Sequence, residues 1–272
     1  MEARAHHAIP SSLTPALDTL ADDRADLGEC DYGDPSPDRL CRRGDPGATR
    51  TLVVLGDSHG RMWIPAFERI GRTKGWAAYY LVKPQCTAAH VLVGKIPGGE
   101  PWPECSDFHT WAAAKVAELQ PDLAVVATAL PANGVYVDGQ HVTDDAAVAA
   151  EYKAGMRRLF RSLLPNSGRV LLLADVPKRR ADPGPCLRNA HNDLGDCLTV
   201  PNAHSAFITR KAIEAARQVG VPVVDPTMWT CWDGVCPAVI GSTVLYRDVG
   251  HLTTTYTRQL AEPVARALDI WH

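Results

Sequence analysis

The sequence contains no apolar run long enough to cross a lipid bilayer, which takes about 20 consecutive residues. Its strongest apolar runs, Leu123–Leu130 and Val170–Ala174, have the length of buried β-strands. The N-terminus also lacks the positive, apolar and small-residue succession of a secretory signal. Taken alone, these two absences favour a cytosolic protein.

The sequence also lacks a strong excess of charge of either sign. Its 28 Lys and Arg residues against 31 Asp and Glu residues give a net charge of -3. A nearly neutral chain has no electrostatic footprint for nucleic acid, so we predict no nucleic-acid partner. The densest basic cluster, Lys178-Arg179-Arg180, is short and indicates a solvated loop.

The common cysteine spacings that bind zinc are absent as well. None of the eight cysteines stands in a Cys-x-x-Cys pair. The histidines that lie along the chain show no ligand spacing either. The sequence therefore predicts no metal site and no cofactor.

Instead, the cysteines form four neighbouring couples in segments rich in Pro, Gly and Asp. An even number of cysteines in irregular segments is typical of disulfides, and the predicted pairs are Cys30–Cys41, Cys86–Cys105, Cys186–Cys197 and Cys231–Cys236. The alternative is eight reduced thiols, which would suit cysteines on buried apolar faces. Disulfides without a secretory signal are consistent if this chain is an exported piece of a longer protein.

Short apolar runs alternate with longer amphipathic segments after residue 50. The patterns predict strands at 51–55, 77–82, 122–127, 169–174 and 221–224, and helices at 61–74, 107–119, 144–164, 202–220 and 254–268. The earlier segment is irregular except for a short helix predicted at 14–25, with Thr14 as N-cap and Pro15 at its first position. Continuous apolar strands separated by helices are typical of an α/β fold, in which both faces of a parallel sheet are buried.

The first predicted strand ends in the turn Gly56-Asp57-Ser58-His59, which leads into a helix. Active sites of such sheets lie beyond the carboxyl ends of the strands. Gly56 and Gly60 allow a tight turn, Asp57 and His59 shape it, and the helix N-terminus offers N–H groups to a developing oxyanion. Ser58 is therefore the candidate nucleophile, and its backbone N–H is a candidate oxyanion donor. The alternative is that Ser58 only caps the helix.

A serine hydroxyl is a poor nucleophile until a base takes its proton. Asp248-Val249-Gly250-His251 lies between the last apolar run and the last helix, and its two polar residues share one turn. We predict that His251 is the general base and then the general acid, while Asp248 fixes its tautomer and stabilises the imidazolium. Asp225, at the end of the fifth strand, is a rival for this orienting role.

These motifs resemble those of the SGNH hydrolases, also called GDSL esterases. The closest resemblance is to the SGNH domain fused to acyltransferase-3 membrane proteins in bacterial O-acyltransferases. It covers about residues 50–268 and rests on the Gly-Asp-Ser-His turn, the following Trp-Ile-Pro-Ala at 63–66, Val-Val-Asp-Pro at 223–226, Cys231 with Cys236-Pro237, and the segment 245–253.

This resemblance implies a flavodoxin-like, three-layer α/β/α fold with a central parallel sheet of about five strands. It implies a Ser-His-Asp triad that moves acyl groups, often acetyl, from a donor to a glycan or glycolipid of the cell envelope. It also implies a preceding acyltransferase-3 membrane domain, which would hold this piece on the extracytoplasmic side and explain the absent signal. Residues 1–50 would then be a linker or extension, and residues 51–272 the catalytic domain.

One departure from the family pattern concerns the oxyanion hole. The wider family completes it with a Gly and a Gly-x-Asn-Asp segment, whereas the loops here read Pro84-Gln85-Cys86-Thr87 after the second strand and Thr-Ala-Leu-Pro-Ala-Asn-Gly at 128–134 after the third. Asn133 is a candidate second donor, with an ordinary loop residue as the alternative. The acyltransferase-linked branch often lacks these segments, so the departure favours that branch.

The residues leave several functions open. O-acyl transfer through an acyl-Ser58 intermediate is preferred, but an esterase or deacetylase would share its first step. Gly56-x-Ser58-x-Gly60 also matches the nucleophile elbow of α/β-hydrolases, although that fold takes its acid and base from separate loops. A carbohydrate-binding module that merely retains the fold is disfavoured by the presence of Ser58, Asp248 and His251.

Overall fold

The computed structural model describes residues 6–32 and 40–270. In chain order its strands and helices are β1 (Arg43–Gly44), β2 (Arg50–Gly56), α1 (Ser58–Met62), α2 (Ile64–Lys74), β3 (Trp76–Val82), β4 (Leu92–Val93), α3 (Pro103–Leu119), β5 (Leu123–Ala127), β6 (Val135–Val137), β7 (Gln140–Val142), α4 (Asp145–Leu163), β8 (Arg169–Leu173), α5 (Pro183–Arg188), α6 (Ala203–Gln218), β9 (Val223–Val224), α7 (Thr227–Thr230), β10 (Val239–Ile240), β11 (Thr243–Val244), α8 (Thr254–Gln259) and α9 (Ala261–Ala267). Within these ranges, no helix has the length and apolarity that a membrane span requires.

The central sheet has six strands in the order β1-β3-β2-β5-β8-β9. The five strands from β3 to β9 run parallel, and they are the five that the apolar runs predict. The sixth strand, β1, pairs antiparallel with β3 at the sheet edge and was not predicted, because two residues carry no periodic signal. The small sheet β4-β6-β7 forms from the loops that follow β3 and β5.

Helices cover both faces of the sheet because its strands bury side chains on both sides. Leu52 of β2 packs in one cluster with Phe67 of α2 and Val264 of α9. Its neighbour Val53 points to the opposite face, into a cluster that includes Phe108 of α3 and Tyr152 of α4. Each fully buried apolar side chain of this kind contributes about 1.5–3 kcal/mol. The predicted three-layer α/β/α fold is thus confirmed.

The helix predicted at 14–25 is wrong. The backbone N–H of Thr14 donates to the carbonyl of Ser242, and the Thr14 carbonyl accepts from the N–H of Val244. This pairing with the β10–β11 hairpin holds Thr14 in a β-bridge, so its backbone is not available to start a helix. Only a 3-10 turn at Leu20–Asp22 remains, with Leu20 buried.

Two other predicted helices are each divided in two. The segment 61–74 contains the end of α1 and all of α2, which meet at Trp63, and Pro65 lies in the first turn of α2. The closing segment 254–268 contains α8 and α9, which meet at Leu260, three residues before Pro263. A proline cannot donate a helical hydrogen bond, and its ring clashes with the carbonyl four residues earlier. Each division therefore follows from a proline.

All eight cysteines form the four predicted disulfides, Cys30–Cys41, Cys86–Cys105, Cys186–Cys197 and Cys231–Cys236. Each bond joins cysteines 5 to 19 residues apart and restricts the unfolded chain, an effect of about 3 kcal/mol for a loop of 15 residues. Four such bonds fit an extracytoplasmic location, because the reducing cytosol rarely preserves them.

The carboxyl ends of the central strands define the edge where the functional turn lies. Gly56, the last residue of β2, is level with Val82 of β3 and Ala127 of β5. A Cβ atom on Gly56 would lie 2.0 Å from the Ala127 carbonyl oxygen, so only glycine fits this close approach. The chain therefore enters α1 directly beyond the middle of the sheet.

Candidate active site

Ser58, His251 and Asp248 form a continuous hydrogen-bonded chain. The Nε2 atom of His251 lies 2.8 Å from the Ser58 hydroxyl oxygen. On the other side of the ring, Nδ1 lies 2.9 and 3.0 Å from the two carboxylate oxygens of Asp248. Two segments 193 residues apart thus meet at the carboxyl edge of the sheet. The arrangement can take a proton from Ser58 onto His251 while Asp248 holds the ring.

The turn that carries Asp248 and His251 is organised by the Asp248 carboxylate itself. One of its oxygens accepts the backbone N–H groups of Gly250 and His251, both at 2.8 Å. The N–H of Arg247 then donates to the carbonyl of His251 at 2.9 Å and closes the turn. The spacing of three residues therefore lets Asp248 fold its own backbone and still reach the imidazole.

Two alternatives, Asp225 as the orienting carboxylate and Ser58 as a helix cap, do not match the observed contacts. Asp225 is exposed and accepts the N–H of Thr227 at 2.9 Å, which places its carboxylate at the start of α7. The residue that caps α1 is Asp57, whose carboxylate accepts the N–H of His59. The Ser58 hydroxyl is thus directed to His251 rather than to the helix end.

Asp57 is a buried carboxylate that joins the turn to the end of β5. Its second oxygen accepts the hydroxyl of Thr128 and the N–H of Ala129, each at 3.0 Å. A Cβ atom on Gly60 would lie 2.8 Å from the Ala127 carbonyl oxygen, so the turn packs closely against that strand end. These contacts fix the direction in which the Ser58 side chain points.

His59 forms a buried pair with a residue that the sequence analysis missed. Its Nδ1 atom lies 2.5 Å from the Asp175 carboxylate, which follows β8. The His59 ring also lies against that of His251, with 4.4 Å between their centroids. Asp175 follows the carboxyl end of a parallel strand, as Asp225 does. Its position in the sequence could therefore have marked it as a candidate site residue. His59, held by Asp175, therefore packs against the His251 ring.

Asn133 does not join the hydrogen-bonded chain. Its side-chain amide donates to the carbonyl of Lys95 beside the small sheet. The amide makes this contact because the segment before β6 packs on the segment after β4. Asn133 is therefore already paired within the loop and is not a candidate oxyanion donor. The N–H of Ser58, at the first position of α1, remains the candidate donor.

The cleft next to Ser58 is small, with a volume of about 90 Å³. One wall comes from Met62 and Leu252, and another from the segment 23–25. The carboxylate of Asp23 holds that segment in place by accepting the N–H and the hydroxyl of Thr254. Part of the irregular region before residue 51 therefore shapes the site.

A family model of the SGNH domain fused to AT3 domains matches residues 29–266. The chain belongs to this family. The abbreviation AT3 denotes the acyltransferase-3 membrane domain, so membership of the SGNH domain in the family supports an attached AT3 domain. No curated protein matches this chain closely enough to count as a relative.

Two solved structures share the fold of this SGNH domain. The periplasmic domain of a lipopolysaccharide acetyltransferase from Salmonella ser. Paratyphi A has a TM-score of 0.61 and 13% identity, over 83% of this chain and 85% of that chain. The native aryl esterase of M. smegmatis has a TM-score of 0.51 and 14% identity, over 82% of this chain and 100% of that chain. At such identities the likeness shows the fold. Family and fold together support an enzyme of the SGNH class.

Two groups of side chains in the described part of the SGNH domain approach metal-ligand geometry. In the first, Cys86 and Cys105 lie near His109, but both sulfur atoms belong to a disulfide and are not available as thiolates. In the second, which is exposed, His6 pairs with Asp193 at 2.6 Å. Neither group includes Ser58, His251 or Asp248.

The electrostatics of the site keep His251 neutral and Asp248 ionised at neutral pH. Burial lowers the pKa of His251, and although the hydrogen bond to Asp248 raises it, the net shift is downward from the ordinary 6.5. Burial raises the pKa of Asp248, but the hydrogen bond and charge of His251 outweigh it, and the net pKa lies well below its ordinary value. A neutral imidazole beside a carboxylate is the state in which His251 accepts a proton.

The rate of aryl acetate turnover should therefore fall only in acid, with a midpoint below pH 6.5. Protonated His251 cannot accept the Ser58 proton, and the lowered pKa moves the loss of activity to more acidic pH than for a free imidazole. The measurement is kcat/KM for the aryl ester across pH 4–8, with thermal melts at each pH to check folding. A midpoint above pH 6.5 in folded protein would contradict the assignment of His251 as the base.

Proposed function

We propose that this SGNH domain is an extracytoplasmic serine O-acyltransferase that moves a small acyl group, such as acetyl, onto a glycan or glycolipid of the cell envelope. The observation that carries the proposal is the chain from Ser58 through His251 to Asp248, with distances of 2.8 and 2.9 Å. The cleft of about 90 Å³ beside Ser58 suits a short acyl group better than a long one.

In the first half-reaction Ser58 attacks the carbonyl carbon of the acyl donor. His251 takes the hydroxyl proton at Nε2, and Asp248 stabilises the resulting imidazolium. The backbone N–H of Ser58 faces the developing oxyanion at the N-terminus of α1. When the bond to the leaving group breaks, His251 returns its proton to that group, which leaves an acyl ester on Ser58.

In the second half-reaction a hydroxyl of the acceptor attacks the acyl-Ser58 ester. His251, neutral again, takes the proton of that hydroxyl as the new ester bond forms. It then gives the proton back to the Ser58 oxygen as the acyl bond to the enzyme breaks. Water in place of the acceptor hydroxyl would give hydrolysis by the same steps.

The proposed setting is the outer side of a membrane, next to an AT3 domain that delivers the acyl donor. The four disulfides and the family description support this setting. In that arrangement residues 1–50 lead from the membrane domain into the SGNH domain, while residues 51–272 contain the proposed catalytic groups.

The proposal is tested by the fate of the acyl group. With an aryl acetate as donor and a saccharide mixture as acceptor, we expect the acetyl group to shift from free acetate to sugar ester as the saccharide concentration rises. The products are quantified by mass spectrometry, with Ser58→Ala protein as the blank. If acetate remains the sole product at every saccharide concentration, the domain is an esterase and transfer is wrong.

A further inference from the structure

The Ser58 cleft is the inner end of a longer groove. A second cleft of about 560 Å³ adjoins it, and the two share Arg24, Ala25 and Thr254 as lining residues. The outer cleft lies against Ile64 and Pro65 of α2. Its volume falls in the range of about 300–1,000 Å³ that is typical of small-molecule sites. A ligand that places one group beside Ser58 thus has room for its larger part in the outer cleft.

The charge of this groove is opposite to that of the whole chain. Seven arginines and three carboxylates line the two clefts together, whereas the chain has a net charge of -3. A concave surface on which charge of one sign predominates concentrates its field on a ligand of the other sign. The groove is therefore complementary to an anion.

Three of the arginines lie at the inner end, around Ser58. They are Arg24, Arg61 and Arg247. Burial lowers the pKa of Arg247, the positive charges of Arg24 and Arg61 lower it further, and the carboxylates of Asp248 and Asp23 raise it. Each of the three also has a carboxylate within 4 Å: Asp22 lies 3.6 Å from Arg24, Asp31 2.8 Å from Arg61 and Asp248 3.7 Å from Arg247. The inner arginines are therefore largely balanced, and the charge that is open to a ligand must come from the outer cleft.

Four more arginines line the outer cleft. Arg43 and Arg72 share the carboxylate of Glu68, at 2.7 and 3.2 Å. Arg69 of α2 and Arg258 of α8 are exposed, and the described residues offer neither of them an ion pair within 4 Å. A guanidinium group donates two parallel hydrogen bonds to a carboxylate or phosphate. Arg69 and Arg258 are thus placed to bind such a group.

We infer that the groove binds an anionic saccharide through its carboxylate or phosphate groups and presents one of its hydroxyls to Ser58. This inference rests on the proposed function, because it names the acceptor of that reaction. A concave groove that ends at a nucleophile suits a discrete ligand, whereas a membrane surface would meet a convex or flat basic face. The acceptor is therefore an acidic glycan rather than a neutral one.

The test is a binding measurement on the Ser58→Ala protein, in which acyl transfer cannot consume the ligand. Trigalacturonic acid is the carboxylate probe, glucose 1-phosphate the phosphate probe, and maltotriose the neutral control, each followed by calorimetry. We expect at least one anionic probe to bind about tenfold more tightly than maltotriose at low salt. This preference should shrink as salt rises, because salt screens partly exposed charges.

Matched variants locate the binding surface. Arg69→Gln with Arg258→Gln should weaken the anionic probe about tenfold, which corresponds to two lost charge-assisted contacts at an exposed site. Arg217→Gln is the control, since Arg217 is also exposed but lies on α6, across the sheet. The Arg217→Gln protein should bind the anionic probe as tightly as the parent protein does.

Three outcomes would overturn the inference. They are equal binding of anionic and neutral probes, equal losses in the Arg69/Arg258 and Arg217 variants, and binding to phosphatidylglycerol vesicles without binding to either anionic probe. None of these results depends on turnover. A failure of acyl transfer would therefore count against the proposed function alone, and a lack of anion selectivity against this inference alone.

Discussion

Replacing Ser58 with alanine should lower aryl acetate turnover by about 10⁴-fold or more while leaving the fold intact. Without its hydroxyl, the protein has no group that His251 can activate against the acyl carbonyl. The fold should persist because Asp57, and not Ser58, caps α1. The free energy of unfolding should fall by no more than about 1 kcal/mol, the typical contribution of the one hydrogen bond that Ser58 makes to His251.

The experiment compares Ser58→Ala with a matched serine variant. Ser242 is exposed at the turn of the β10–β11 hairpin, and its side chain lies outside the hydrogen-bonded chain. Ser242→Ala should keep the parental rate, and both variants should melt within about 5 °C of the parent. Undiminished turnover in folded Ser58→Ala protein would remove Ser58 from the mechanism.

Replacing Asp248 with asparagine should be the second most damaging change, with a loss of about 10²–10⁴-fold in kcat. An asparagine oxygen can still accept the N–H groups of Gly250 and His251, so the turn is retained. The neutral amide, however, cannot stabilise the imidazolium, and its NH₂ group favours the wrong tautomer of His251. The measurement is kcat for the aryl acetate at pH 7, alongside thermal melts.

Asp225→Asn is the matched control for this change. Asp225 accepts the N–H of Thr227 at the start of α7, and an asparagine there serves the same purpose. The kcat of Asp225→Asn protein should stay within about twofold of the parent, as for a surface substitution that touches neither the core nor the hydrogen-bonded chain. If Asp225→Asn were the damaging variant and Asp248→Asn the harmless one, the orienting carboxylate would be misassigned.

The central sheet was predictable because its strands are short apolar runs buried on both faces. Residues 51–55 and 122–127 signal strands without help from the rest of the chain, and the structure has both, as β2 and β5. The disulfide pairs were predictable for a similar reason, since each couple is close in sequence. The strand patterns are readable in the sequence because burial on both faces demands a continuous apolar run within each strand, even though β2 and β5 pair with each other across about 70 residues.

What the sequence did not reveal depends on contacts between distant segments. Thr14 pairs with the β10–β11 hairpin, and no local pattern indicates a partner about 230 residues away.

The division of the closing helix has a local cause instead. Pro263 interrupts the helix, but the apolar periodicity on both sides of it predicts one continuous helix. Backbone pairing and helix geometry therefore overrode local propensity at these positions.

The sequence predicts the three residues of the hydrogen-bonded chain, Ser58, His251 and Asp248, but not the residues that surround them. The position of Ser58 after the first strand, and the spacing of Asp248 and His251, follow from the sequence. The buried contact between His59 and Asp175 needs the three-dimensional fold, because 116 residues separate them. The wall formed by residues 23–25 was missed since an irregular segment gives no sign of where it packs.

The proposed mechanism requires the acyl group to pass through Ser58. The most direct test is to mix the protein with an aryl acetate, quench in acid within the burst phase, digest, and locate the acetyl group by mass spectrometry. We expect an acetyl ester on the peptide that contains Ser58, and no such ester in Ser58→Ala protein. An acetyl group on another residue, or turnover with Ser58 never modified, would show that the acyl group does not pass through Ser58.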